Sequence, residues 1–91
     1  MGNEAPPYAS PALVYYQKCL AIKLKKLGPD HPSVATSYNS IGAVYDSKGD
    51  PTRARDYLEK TLAIYESRGD EDKAQDVREK IAGLESEQPI D

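Results

Sequence analysis

Residues 12–24, ALVYYQKCLAIKL, return in residues 54–66 as ARDYLEKTLAIYE, an offset of 42 residues. Six of the thirteen positions are identical: Ala12 with Ala54, Tyr15 with Tyr57, Lys18 with Lys60, and Leu20-Ala21-Ile22 with Leu62-Ala63-Ile64. An internal copy at this distance marks one supersecondary unit used twice. Such a unit cannot bury its apolar face alone, and stacking on a neighbour solves that.

The spacing of apolar residues says what the unit is made of. Leu13, Tyr16, Leu20, Leu24 and Leu27 recur at helical steps and predict a helix over residues 12–27. Val34, Tyr38, Ile41, Gly42 and Tyr45 do the same for residues 32–48, and Ala54, Tyr57, Leu58, Thr61, Leu62 and Tyr65 for residues 51–67. Ala74, Val77, Ile81 and Leu84 form a thinner stripe over residues 71–86, which suits a terminal helix with one face packed and the other in water. The punctuation agrees. Gly28-Pro29, Gly49 and Gly69 stop helices, Asp30 or His31, Asp50 and Asp70 can cap them, and Pro11, Pro32 and Pro51 fall in first turns. Lys25 and Lys26 end the first helix and Glu71 and Asp72 begin the fourth, each where the helix dipole favours that charge. No segment alternates apolar and polar residues over a strand length. The expected fold is all-α: a stack of antiparallel helical hairpins with a C-terminal capping helix over residues 12–86, between an irregular leader (1–11) and a frayed tail (87–91).

Tyr38-x-x-Ile41-Gly42-x-x-Tyr45, followed by Ala54-x-x-x-Leu58, resembles the tetratricopeptide repeat pattern W-x-x-L-G-x-x-Y…A-x-x-x-F. Small Gly42 and Ala54 let the two helices of a hairpin approach. The stretch Leu27-Gly28-Pro29-Asp30-His31-Pro32-Ser33-Val34-Ala35, with Tyr38-Asn39-Ser40-Ile41-Gly42, is similar to the 42-residue repeats of kinesin light chains and related proteins. The chain departs from that pattern in places. Pro51 stands where an aromatic is usual, Thr61 and Cys19 where Ala is usual, and Asn39-Ser40 keeps one of a usual pair of Asn. Residues 12–27 correspond to a second helix without its first.

The resemblance implies a non-catalytic scaffold that binds a partner protein or an extended peptide. The ligand surface of this family is lined by first helices, so residues 32–48 supply the candidate site: Thr36, Asn39, Ser40, Ala43, Asp46 and Ser47. An Asn amide can donate to a peptide carbonyl and accept from a peptide N–H, which suits Asn39 to an extended backbone. A merely solvated Asn39 is the plain alternative. None of these positions is Lys or Arg, so a clamp for a terminal carboxylate is not expected. The unpartnered first helix suggests a second surface, with self-association through Leu13, Tyr16, Leu20 and Leu24 into a homo-oligomer. A self-associating repeat fragment, or an engineered model of the fold, with no ligand of its own is the alternative function.

Other classes find little support. The net charge of −3 divides into +3 over residues 1–29 and −6 over residues 30–91, without a stacking platform or basic loop, so no nucleic-acid partner is expected. No apolar run is long enough to span a membrane, and the start has neither a secretory pattern nor, with Pro6 where Ser or Thr is wanted, a myristoylation motif at Gly2. One histidine and one cysteine do not make a zinc site. Asp70-Glu71-Asp72 lacks the spaced oxygen ligands of a calcium loop, and no nucleophile–base pattern is present. His31 reads as a helix cap and Cys19 as a small buried filler. The expectation is a cytoplasmic protein with no cofactor, no metal and no catalytic residues.

Overall fold

A computed structural model describes residues 10–87. It contains α1 (Pro11–Leu27), α2 (Pro32–Ser47), α3 (Pro51–Ser67) and α4 (Glu71–Glu87), with boundaries within one residue of those expected. Most of the leader and the tail, including Gly2, lie outside the described residues.

Side chains at the helix starts explain why the chain breaks where it does. The His31 Nδ1 accepts from the Ser33 amide at 3.0 Å, and Asp50 Oδ1 from the Arg53 amide at 3.1 Å. Asp70 Oδ1 accepts from the Lys73 amide at 3.4 Å. Ser10, expected within the irregular leader, caps α1 through its Oγ and the Leu13 amide at 3.3 Å. Proline follows three of these caps, where its missing N–H leaves no bond unmade. Gly49 and Gly69 take φ of +82° and +72° to leave α2 and α3, a left-handed turn that other residues adopt only under strain.

Helices adjacent in sequence pack on one another as hairpins. At the α2–α3 crossing, a Cβ on Gly42 would sit 3.2 Å from the Ala54 carbonyl oxygen and 3.4 Å from Leu58 Cγ. Only glycine allows this approach without a shift of backbone. Tyr45 and Tyr57 stack beside it at 5.7 Å and 13°, with Tyr38 at 6.1 Å from Tyr57. Two clusters flank the crossing. Leu20 and Leu24 of α1 pack on Val34, Ala35 and Ile64, while Val77 and Leu84 of α4 pack on Ala54 and Leu58. Thr61 is wholly buried, and its hydroxyl donates to the Tyr57 carbonyl at 2.9 Å, with the Ala35 carbonyl at 3.5 Å.

Three expectations need correction. Leu27 is 45% exposed, because it is the last residue of α1, where the chain leaves through Gly28. Cys19 is half-buried, not a buried filler, because no helix covers that side of α1 among the described residues. Ser37, absent from the expected apolar face, is buried, and Lys23 Nζ of α1 satisfies its hydroxyl by donating to Oγ at 3.0 Å.

Candidate binding groove

The α2 face read as the ligand surface opens onto a groove of about 280 Å³ that α4 closes from the other side. Its walls are Asn39, Ala43 and Asp46 from α2 and Lys80 from α4, and its floor is Gly42, Leu58 and Leu84. The stack builds it as follows. α3 fills the space between the two first-type helices and presents Leu58 upward, and Gly42 has no side chain to block the floor.

Three of the six expected residues meet here, and three do not. Thr36 is exposed, and its hydroxyl donates to the Pro32 carbonyl at 3.3 Å within its own helix. Ser40 is half-buried and Ser47 exposed, neither on the groove wall. Lys80 was missing from the sequence reading. Its Nζ donates to Asn39 Oδ1 at 3.4 Å across 41 residues of chain. A second depression of about 210 Å³ continues from Asn39 and Lys80 toward Lys73, Asp76, Val77 and Tyr65. The six α2 positions carry no lysine, as read from the sequence, and α4 brings Lys80 and Lys73 beside them. The signal was present in Lys73 and Lys80, seven residues apart and so on one helical face, yet nothing local says which helix they oppose.

Electrostatically the groove is balanced, with Lys73 and Lys80 set against Asp46 and Asp76. A half-buried amide between opposite charges, above two leucines, can hold a polar backbone while apolar side chains enter the floor. A wider and more open depression of about 530 Å³ lies by Tyr45, Tyr57, Arg53 and Lys60. Its groups already engage one another, with the Arg53 guanidinium 5.9 Å over the Tyr45 ring.

The residues read as a self-association surface are placed differently from one another. Leu13 is buried, and Leu20 and Leu24 pack inside the chain on the Val34, Ala35 and Ile64 cluster. Tyr16 is half-buried, its ring edge-on to Tyr15 at 5.7 Å. The large exposed apolar groups of α1 are instead Val14, Tyr15, Ile22 and the terminal Leu27.

Among the described residues no group of three or more His, Cys, Asp or Glu is placed to hold a metal ion. Nor, among them, is any helix long and apolar enough to cross a membrane. No curated protein matches the chain. The family model described as tetratricopeptide repeat matches residues 12–67, which span α1, α2 and α3 from Ala12 onward. With four helices stacked as hairpins and Gly42 seated on Ala54, the chain belongs to the tetratricopeptide repeat family.

Proposed function

We propose that the protein is a non-catalytic scaffold whose α2–α4 groove binds an extended segment of a partner protein. The observation that carries this reading is the meeting of Asn39 and Lys80 at 3.4 Å above Leu58 and Leu84. The Asn39 amide can bond a peptide group, Lys80 can leave Asn39 for a carboxylate on the ligand, and the leucines suit a small apolar side chain. The likeness of residues 27–42 to kinesin-light-chain repeats supports a partner of the cargo-adaptor kind. One half-buried cysteine and no pair to it support a reducing compartment such as the cytoplasm.

Selection of a random peptide library on the immobilised protein tests this reading. The selected peptides should shift the amide resonances of Asn39, Ala43 and Lys80. Asn39→Ala should weaken them by about 5–10-fold, the worth of one hydrogen bond, and Lys80→Glu should remove a preference for acidic residues. Shifts confined to the Tyr45–Tyr57 depression, or no enrichment at all, would sink it.

A second reading, self-association through α1, is favoured by one observation. Ile22 is 56% exposed, whereas its repeat counterpart Ile64 is 5% exposed.

A further inference from the structure

The two repeat copies are not in the same surroundings, and the difference has a direction. Each second-type helix has two faces. Leu13, Leu20 and Leu24 of α1 correspond at the 42-residue offset to Arg55, Leu62 and Glu66 of α3. The α3 residues face the following helix: Arg55 pairs with Glu85 at 3.1 Å, Glu66 with Arg78 at 2.8 Å, and Leu62 packs on the cluster that holds Val77 and Leu84. On α1 that face is likewise taken, by α2. The other face of α3, with Ala54, Thr61 and Ile64, is buried against α2. Its counterparts on α1 are Ala12, Cys19 and Ile22, and they lie exposed or half-exposed. Tyr15, counterpart of the stacked Tyr57, is 63% exposed.

α4 has the opposite deficiency. Its apolar stripe of buried Ala74, Val77 and Leu84 with half-buried Ile81 falls on α2 residues Val34, Ser37, Ile41 and Val44 at an offset of 40. Under that register Ala82 occupies the place of Gly42, the point of closest helix approach, and it is exposed. Among the described residues α1 thus has the form of a second helix with its first-helix face open, and α4 that of a first helix with its second-helix face open.

We infer that α4 of one copy docks antiparallel on the open face of α1 of the next, completing a hairpin between two chains like the one α2 and α3 make within a chain. Charge favours the pairing. α1 carries four lysines, of which Lys23 is turned to α2, and no acid, and α4 carries six acids and three bases. In the internal hairpin the Arg68 guanidinium at the end of α3 donates to the Asp30 carbonyl at the start of α2, 3.2 Å away. The two offsets turn this pair into Lys26 and Asp70, so a basic side chain again meets the start of the partner helix. Ala12 lies opposite Ala82 as Ala54 lies opposite Gly42, two small residues at the crossing. The contact is heterologous: each copy offers one α1 face and one α4 face, and the array does not close at two.

This inference rests on the self-association reading and specifies it, and sedimentation equilibrium separates the two. The wild-type mass should rise past that of a dimer from micromolar to millimolar protein, and less so at molar salt, which screens the helix charges. Ile22→Glu and Ala82→Arg alter exposed residues and should keep the helical circular dichroism and urea midpoint. Each alone should lose the association. Mixed, they should form a one-to-one dimer and stop, because the mixture holds one intact α1 face and one intact α4 face. A wild-type monomer at every concentration would overturn self-association altogether. An Ala82→Arg chain that associates like wild type would overturn the role of α4 alone and point to α1 pairing with α1.

Discussion

Ile22 and Ile64 are the same residue in two copies of one motif, and they separate what a side chain is from where it sits. Ile64 packs on Val34 and Ala35, and truncating it to Ala leaves a cavity in a small core. Ile64→Ala should cost about 2–4 kcal/mol of stability, whereas Ile22→Ala in dilute protein should change it by less than about 0.5 kcal/mol. Urea unfolding midpoints of the two variants check this; equal losses would contradict the exposure of α1. The caps His31, Asp50 and Asp70 are legible in sequence because each acts on an amide two or three residues away. Ser10 acts in the same way but sits among prolines and small residues that read as irregular chain. Lys23 is harder still, since its partner Ser37 belongs to another helix, and only the packed pair shows how a buried serine is satisfied there.

At the level of elements, helix starts and stops follow from local chemistry, and their positions agree with the reading to within one residue. The groove does not follow in the same way. Asn39, Ala43 and Asp46 share one helix and can be read together, while Lys80 and Leu84 reach them only because α3 spaces α2 and α4. The α2–α3 hairpin carries its own titratable marker. The Tyr57 phenol is raised above its usual range chiefly by burial, with Tyr45 and Tyr38 adding to it and a bond with Gln17 of α1 opposing. The folded hairpin therefore keeps this proton to higher pH than the unfolded chain does. Its contribution to stability is complete below the ordinary phenol value of about 10 and is lost as the pH climbs through the raised one. Urea midpoints taken at neutral and strongly alkaline pH should fall for the wild type and fall less for Tyr57→Phe. An identical decline in both would remove the phenol from the account.

For the molecule as a whole, close backbone approach runs from each helix to the next and nowhere else among the four, while only side chains bridge α1 to α3 and α2 to α4. Stability in such a stack is a sum of nearest-neighbour terms. α2 and α3 have a helix on each side, while α1 and α4 have one. Amide hydrogen exchange should accordingly be slowest in α2 and α3 and faster in α1 and α4; uniform protection across the four helices would show a single cooperative unit instead. The family and the stacking direction are readable from the 42-residue copy and from Tyr38, Ile41, Gly42 and Tyr45, because the pattern encodes how helices meet. Which face stays open is not readable there, since Ala12 and Ala54 are the same letter. The linear chain of contacts also has a mechanical side. With no backbone approach between α1 and α4, a force applied along the stack meets no clasp that must break first. Small rotations at each crossing would add along such a stack, so its length and curvature are set crossing by crossing and not by one central core.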